Sequence, residues 1–273
     1  MFLISAVNLE QLSLECSFLT SCGNFLLPRS NLQSLKELPL VVTDAAPGFD
    51  LDRFARLLEK APRLERLEAY MCRGVGPGLA LGSLNWLKFT MSALCSGEVR
   101  NLALSCKKLE SFSFQYFEDC EGADILKRGH DLTPREITEE LEPCRQTSQH
   151  LEVSDWDGRT ILQRNDRITN LQQFPALRTL VLDEICLVSG EQKERPTTGD
   201  LLIRLLPASI ESVVLKEVHL SLYDDMMELA WKAQNGLFPH LKYFKAIFKG
   251  MIPSRMHKPL EEAFRKAGIS FAS

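Results

Sequence analysis

A short pattern of apolar positions recurs along the chain, in the form apolar-x-x-apolar-x-apolar. Its nine copies begin, in chain order, at Leu9, Leu35, Leu64, Leu84, Leu109, Ser148, Leu177, Ile210 and Leu241. Successive copies start 20 to 39 residues apart, which leaves room for one helix each, and the copy at Ser148 is the weakest match. One copy would arise by chance in a leucine-rich chain, but nine in series indicate an internal repeat.

The spacing within each copy predicts a short β-strand. The last two apolar positions are two residues apart, so both point to the same side of the strand and into a core. The residues between them face the opposite side. Parallel strands need a crossover connection, which is usually a helix. The pattern predicts an α/β leucine-rich-repeat solenoid of about nine irregular repeats, forming one domain over residues 1–273, with a curved parallel sheet on its concave side and helices on its convex side.

Several segments between the copies have a helical pattern. Residues 50–61 place apolar side chains on one helical face, and Pro62 ends the run. That face consists of Leu51, Phe54, Leu57, Leu58 and Ala61. Thr133, Pro134 and Glu136 supply a capping residue, a first-turn proline and a carboxylate at the start of another helix. The buried stripe of this helix is predicted to be Ile137, Leu141 and Cys144. Further helices are predicted at 200–206, 224–232 and 259–267, the last leading to an apolar run at 269–271.

Two stretches are predicted to protrude as loops. Residues 116–131 are rich in carboxylates, and residues 189–199 contain Gly190, Pro196 and several charged side chains. Insertions of this kind lie on one edge of a repeat stack and often contribute to binding.

Composition and charge narrow the classes of partner. The chain is 45% hydrophobic and 25% charged, which predicts a sizeable core, and the net charge of −4 is too small to name a partner class. Residues 117–157 hold twelve Asp or Glu against four Lys or Arg, and residues 232–273 hold eight Lys or Arg against two Glu. These blocks are interpreted as solvated faces or as a bipolar partner surface. The basic end lacks the aromatic-basic interleaving of known nucleic-acid modules, so nucleic acid is not the expected partner.

The cysteines and the apolar runs bear on the compartment. None of the eight cysteines forms a CxxC pair, and most lie beside apolar residues, so we expect buried free thiols in a reducing compartment. The N-terminus has no basic region of a signal peptide, and no uncharged run is long enough to span a bilayer. The expected location is intracellular, in the cytoplasm or the nucleus, without membrane attachment.

Three motifs suggest chemistry, and each has a simpler interpretation. Asp155 and Asp157 flank a tryptophan, but no His or Lys completes an acid-base pair, and Asp-Gly is typical of a turn. Residues 74–78 lack the third glycine and the Lys-Ser/Thr of phosphate loops. Cys120 and His130 match no zinc spacing. No catalytic residue, metal or cofactor is predicted, and the chain is not expected to be an enzyme.

Three phrases of the sequence resemble a known family. These are APRLERL at 61–67, FPALRTLVL at 174–182 and LLPASIESVVL at 205–215, and they resemble the irregular repeats of fungal F-box leucine-rich-repeat proteins. The resemblance implies that the repeats hold a substrate protein, while an F-box docks on the Skp-type adaptor of a ubiquitin ligase. Leu9 already lies in a repeat, so adaptor binding is expected only if an F-box lies upstream. The family has no catalytic residues to carry over.

Strand alternation predicts which side chains line the concave face. The candidate partner-binding residues are Arg66, Glu68, Tyr70, Trp86, Lys88, Gln115, His150, Glu152, Asp183, Lys216, Tyr243 and Lys245. Three aromatic members, Tyr70, Trp86 and Tyr243, are of the type that anchors interfaces, although each could instead pack against neighbouring strands.

The sequence therefore predicts a monomeric, non-enzymatic scaffold for protein-protein interaction, the substrate-recognition region of an F-box-type ubiquitin-ligase receptor. Two alternatives remain open. The first is a stand-alone repeat scaffold with no link to a ligase. The second is a nucleic-acid-binding protein that uses the basic C-terminal region.

Overall fold

The computed structural model describes residues 9–16, 32–42, 48–116, 132–154, 166–169, 171–188, 199–250 and 252–273. The chain divides into two compact units. The first unit comprises Met1–Leu132 and Glu139–Thr147, and the second comprises Thr133–Thr138 and Ser148–Ser273. The expectation of one domain stays a prediction. The two predicted loops lie outside the described residues apart from Tyr116 and Gly199, as do the Asp155–Asp157 motif, Cys120 and His130.

The first unit is built on parallel strands. In chain order they are β1 (Leu14–Cys16), β2 (Glu37–Val42), β3 (Phe49–Asp50), β4 (Arg66–Tyr70), β5 (Cys72–Gly74), β6 (Trp86–Ser92) and β7 (Ser111–Tyr116). Strands β1, β2, β4, β6 and β7 pair in that order, and β3 pairs separately with β5. The predicted α/β class with a parallel sheet is confirmed.

The repeat copies pair in phase. Leu67 lies opposite Leu38 on one side and Leu87 on the other, and Leu87 lies opposite Phe112. The final two apolar positions of these copies are all buried: Leu38, Leu40, Leu67, Ala69, Leu87, Phe89, Phe112 and Phe114. The prediction that these positions face a core is confirmed, because in-phase pairing keeps every apolar side chain on the same side of the sheet.

The crossovers of the first unit are less regular than predicted. A 3-10 helix (Leu51–Phe54) continues into α1 (Ala55–Lys60), and the five apolar residues predicted to share a face there are all buried. The connection between β4 and β6 contains β5 and turns instead of a helix. That interval is only 20 residues long, so the expectation of one helix per crossover is wrong at this place.

The second unit repeats the arrangement. Its strands are β8 (His150–Ser154), β9 (Thr179–Asp183), β10 (Ser212–Val218), β11 (Tyr243–Phe248) and β12 (Ser270–Ala272), and they pair in parallel in that order. Leu180 lies opposite Leu151 and Val213, and Phe244 lies opposite Val213 and Phe271. The weak copy at Ser148 therefore does form a strand, in phase with the next one.

Of the remaining helices, the one at Ser96–Ser105 was not predicted, and the others were predicted with different bounds. In chain order, the remaining helices are α2 (Ser96–Ser105), α3 (Pro134–Glu140), α4 (Leu201–Leu205), α5 (Tyr223–Gln234) and α6 (Ser254–Lys266). Before α3, the Thr133 backbone N–H donates to Glu136 Oε2 at 2.8 Å, and the Glu136 N–H donates to Thr133 Oγ1 at 3.2 Å. This is the predicted capping box, and Ile137, Leu141 and Cys144 are buried as predicted.

Helix α6 begins at Ser254, five residues before the predicted start at Pro259. Proline is common at the first position of a helix, which is why Pro259 was predicted as the start. Within the second turn, where it lies, Pro259 removes one backbone hydrogen bond of the helix. Burial of Leu260 and Phe264 holds the helix in place, and the Phe264 ring stacks on Phe244 at 4.6 Å and on Phe271 at 5.2 Å between centroids. Packing against the sheet thus outweighs the local cost of the proline.

Among the described residues, three that are not glycine have a left-handed backbone. They lie at equivalent places in the repeats. Met71, Met91 and Glu217 have φ values of 63°, 49° and 55°. Each follows the first residue of its strand, Arg66, Trp86 or Ser212, by five positions. The strand register shifts at two of these places, between Phe89 and Ser92 and between Leu215 and Val218. A bulge therefore follows the third outward position of β6 and of β10.

The buried thiols agree with the sequence interpretation. Cys72, Cys106, Cys144 and Cys186 are buried, and none of these four forms a disulfide. Burial raises the pKa of the Cys72 thiol to about 12 and that of Cys144 to about 11, so neither is a ready nucleophile. In the part of the chain that the structure describes, no helix has the length and apolar character needed to cross a membrane.

One carboxyl group in the second unit is buried with only part of its hydrogen-bonding capacity used. Asp225 in α5 accepts the Leu201 N–H through Oδ1 at 2.7 Å, while Oδ2 has no hydrogen-bond partner among the described residues. Burial raises the pKa of Asp225 to about 6 from 3.8, although hydrogen bonds from the Leu201 and Leu202 backbones act in the opposite direction. The folded protein therefore favours the protonated form of Asp225 more than the unfolded chain does.

This raised pKa predicts a pH dependence of stability. The contribution of Asp225 is most favourable below about pH 4 and is lost as the pH rises to about 6, because the unfolded chain ionises first. Relative to Asp225→Asn, the wild type should lose about 1–3 kcal/mol of unfolding free energy between pH 4 and pH 7. Urea denaturation at several pH values measures this difference. Glu228→Gln on the same helix keeps Asp225 and should keep the wild-type slope, and an equal slope in Asp225→Asn would contradict the prediction.

Candidate functional site

Each unit presents a row of side chains on the side of its strands opposite the buried apolar positions. We call the set Glu37, Arg66, Glu68, Tyr70, Trp86, Lys88 and Gln115 the first polar face. We call the set His150, Glu152, Thr179, Val181, Ser212, Val214, Lys216, Tyr243 and Lys245 the second polar face. All of these side chains are half-buried except Arg66, which is exposed. The strand alternation that buries the leucines places them there.

On the first polar face, Trp86 is held by its neighbours. Glu37, Arg66 and Trp86 lie opposite one another on β2, β4 and β6. The Arg66 guanidinium lies 4.6 Å from the centroid of the Trp86 ring, and its Nε lies 3.8 Å from Glu37 Oε1. A cation over an indole ring contributes about 0.5–1 kcal/mol at an exposed site. The Arg66 side chain therefore restricts the orientation of the Trp86 ring.

In the next two rows of the first polar face, polar side chains pair with neighbouring side chains. Lys88 Nζ lies 3.1 Å from Glu68 Oε1 on the neighbouring strand, and the Tyr70 hydroxyl donates to Met91 Sδ at 2.6 Å. The charges beside Trp86 thus cancel in pairs. Of the side chains on the first polar face, the aromatic rings have the largest apolar area.

The second polar face contains a partly buried ion pair. Lys216 Nζ on β10 lies 3.0 Å from Glu152 Oε1 on β8, so the lysine reaches across β9. Ser154 Oγ also donates to Glu152 at 3.3 Å. Burial lowers the pKa of His150, although the charge of Glu152 acts to raise it. The imidazole is then neutral at physiological pH and has one donor and one acceptor nitrogen.

Asp183 was predicted to line the concave face, but its side chain is buried. It lies on β9 in register with Lys216 but is only 2% exposed. The 3-10 helix Glu184–Cys186 follows directly, and all three of its residues are buried, so the end of this strand is covered. Ser113 and Ser154, which also lie at outward positions by strand alternation, are buried as well. Asp183 therefore cannot contact a partner at this face.

A buried polar cluster that sequence reasoning missed lies just beyond β9. Glu184 Oε2 accepts the His219 backbone N–H at 2.7 Å and lies 2.5 Å from His219 Nδ1, while Ser221 Oγ donates to Oε1 at 2.6 Å. The serine hydroxyl points to the carboxylate and not to the imidazole, so the three residues do not form a nucleophile-base pair. The cluster ties the end of β9 to the segment after β10.

A shallow groove of about 420 Å³ lies beside the first residues of the strands in the second unit. Its lining residues are Gln149, Pro175, Ala176, Arg178, Ala208, Ser209, Glu211, Pro239 and His240. Glu211 lies 3.3 Å from Arg178 Nη1 and 3.7 Å from Lys242 Nζ, so its charge is neutralised from both sides. Among the described residues, no group of His, Cys, Asp and Glu side chains has the arrangement of a metal site.

The basic end is partly neutralised. Lys249 pairs with Glu217 at 3.1 Å and Lys266 with Glu262 at 3.0 Å. Three exposed cations of α6, namely Arg255, Lys258 and Arg265, have no ion-pair partner within the described ranges. This end is therefore less strongly basic than its sequence indicates.

Comparison with known proteins adds no relative. A scan of the sequence against protein-family models finds no match, and a search of curated proteins finds no significant one.

Proposed function

We propose that the chain is a leucine-rich-repeat scaffold that binds other proteins through its polar strand faces. The observation that carries the proposal is the in-phase pairing of the strands, which sets half-buried side chains side by side in rows. Such rows supply two kinds of group that interfaces use, namely aromatic anchors and paired polar side chains. The solenoid form, with strands on one side and crossovers on the other, belongs to this proposal.

The proposed function is non-enzymatic because the residues that come closest to an acid-base group are not arranged for catalysis. Glu184, His219 and Ser221 come closest to a catalytic group, and their hydrogen bonds all converge on the buried carboxylate. Four of the cysteine thiols are buried, and burial raises their pKa values. These groups stabilise the fold in this interpretation, and the surface left for function is the strand faces.

The resemblance to fungal F-box leucine-rich-repeat proteins extends the proposal to substrate recognition for a ubiquitin ligase. A form of the protein that carries an F-box before the repeats should co-elute with a purified Skp-type adaptor on size exclusion. The repeats alone should hold the substrate and not the adaptor. If no form binds the adaptor while partner binding persists, the stand-alone scaffold replaces this extension.

The binding role is tested at Trp86. Trp86→Ala should weaken binding of the protein's partners about 30-fold, because truncating an aromatic residue that anchors an interface removes about 2 kcal/mol. Tagged wild-type and variant proteins, with equal folding by circular dichroism, are compared by quantitative recovery of each captured protein.

Trp231→Ala is the matched control. Trp231 is 53% exposed on α5 and also carries a cation, Lys232, at 4.5 Å from its ring. It lies on a helix instead of a strand face, so the partners should be retained. Loss of partners in Trp231→Ala, with retention in Trp86→Ala, would sink the proposal for the strand face.

A second candidate function, nucleic-acid binding, rests on the three exposed cations of α6. It predicts retention on a nucleic-acid column that falls steeply with salt, since each phosphate contact releases counterions. Lys258→Glu combined with Arg265→Glu should abolish that retention. Retention unchanged by these substitutions removes this candidate.

A further inference from the structure

The second polar face contains two rows of different chemistry. The first row is uncharged and capable of hydrogen bonding: Thr179 lies opposite His150 and Ser212, and Ser212 lies opposite Tyr243. The pKa of His150 is lowered, chiefly by burial, so this row has no charge at physiological pH. Hydroxyl and imidazole groups in a line can each accept or donate a hydrogen bond. This row suits the amide groups of an extended backbone.

The second row has an apolar centre with one cation beside it. Val181 on β9 and Val214 on β10 lie opposite each other. On the far side of Val181 lies Glu152 on β8, and on the far side of Val214 lies Lys245 on β11. Both valines are half-buried and open to a contact on this side of the sheet.

The charges at the two ends of this row are not equivalent. The negative charge of Glu152 is engaged by Lys216 at 3.0 Å, and Lys249 beyond the row pairs with Glu217 at 3.1 Å. Within the described ranges, Lys245 has no carboxylate at ion-pair distance. The row therefore offers one uncompensated positive charge next to an apolar pair.

The spacing of these groups fits an extended polypeptide that crosses the strands. Neighbouring strands are about 4.8 Å apart, so the centre of the valine pair is about 7 Å from the Lys245 strand position. Side chains two residues apart on an extended chain point the same way at a separation of about 6.7 Å. One apolar side chain and one carboxylate at positions i and i+2 thus match the two features.

We propose that the second polar face binds an extended segment of a partner protein in which an apolar residue and an Asp or Glu are two positions apart. The apolar side chain packs on Val181 and Val214, the carboxylate pairs with Lys245, and the segment's backbone bonds to the uncharged row. This inference rests on the proposed protein-binding function and adds the chemistry of the partner. A polyphosphate chain fits less well, because the face has one free lysine and a carboxylate, Glu152, at the other end of the row.

The probe is a phage-displayed library of random ten-residue peptides, panned on the immobilised full chain. Enrichment of sequences with an apolar residue two positions from Asp or Glu supports the proposal, and enrichment without that pattern, or none, overturns it. The best peptide is then made with a fluorescent label, and its dissociation constant is measured by anisotropy.

Charge reversal gives the decisive comparison. Lys245→Glu should weaken the acidic peptide by 10-fold or more and restore binding of the same peptide with its acidic residue replaced by lysine. Lys245→Gln, which keeps the length of the side chain, should give an intermediate loss. Lys107→Glu makes the same charge change on an exposed lysine outside both polar faces and should leave binding within 2-fold.

Equal affinity in Lys245→Glu and Lys107→Glu would overturn the proposal, as would failure of the swapped peptide to rescue binding. These outcomes are separate from the Trp86 test, which follows whole partner proteins on the first polar face. Loss of the peptide inference with Trp86→Ala still losing partners would leave the scaffold function standing. Thermal melts monitored by circular dichroism show that each variant is folded.

Discussion

Leu102→Ala in α2 should lower the free energy of unfolding of the first unit by about 2–5 kcal/mol. Leu102 is completely buried, so truncating it removes apolar contacts and leaves a cavity that the surrounding side chains fill only in part. A change of this size is a large fraction of the stability of a typical domain. Urea denaturation followed by circular dichroism measures it as a shift of the midpoint at constant slope.

Leu104→Ala on the same helix is the matched control. Leu104 is 61% exposed, and alanine has the higher helix propensity, so this variant should stay within about 0.5 kcal/mol of the wild type. The two substitutions are chemically identical and lie two residues apart. Similar losses in both variants would show that α2 does not bury the side it buries in this structure.

Glu184→Ala should lower the free energy of unfolding of the second unit by about 3 kcal/mol. The substitution removes the acceptor for the His219 N–H and the Ser221 hydroxyl, and it opens a cavity in a region where Ser221 is buried. Buried donors that lose their acceptor keep their desolvation cost without compensation. The measurement is again the urea midpoint.

Two further variants separate the lost hydrogen bonds from the lost volume. Glu184→Gln keeps the shape and one acceptor oxygen, so its loss should lie between those of the wild type and Glu184→Ala. Glu217→Ala removes an exposed glutamate whose partner is Lys249, and such surface pairs contribute about 0–1 kcal/mol. A loss in Glu217→Ala as large as in Glu184→Ala would refute the assignment of the cluster as a stabilising anchor.

The nine strands of the repeat copies could be predicted from the sequence because their signal is local, whereas β3 and β5 lie outside the pattern and were not predicted. Two apolar residues two positions apart, such as Leu87 and Phe89, define both the strand and the side that is buried. The helices were harder. Helix α2 was missed because Cys95 is an unusual capping residue and Gly97 has low helix propensity, yet Cys95 accepts from the Glu98 backbone and Glu98 caps the Cys95 N–H at 2.8 Å.

The polar positions could be predicted only in part. Alternation correctly places Trp86 and Lys245 away from the core, but it cannot show that a following turn covers Asp183. Glu184 was invisible for a related reason. Its hydrogen-bond partners come from the next repeat, about 35 residues later, and a single carboxylate in the sequence DEIC carries no sign of them. Contacts between repeats decide these cases, and they have no short-range pattern.

The recurring left-handed residues set a limit on how much a strand face can encode. Before Met71, Met91 and Glu217, each strand has three outward positions, and the left-handed residue then interrupts the alternation. The faces are therefore grids of fixed depth, whose width is the number of strands. A longer recognition sequence in a partner can be accommodated by adding repeats and not by lengthening strands. Duplication of whole repeats, which preserves the phase of every buried leucine, is then the simplest way for such a protein to gain a new specificity.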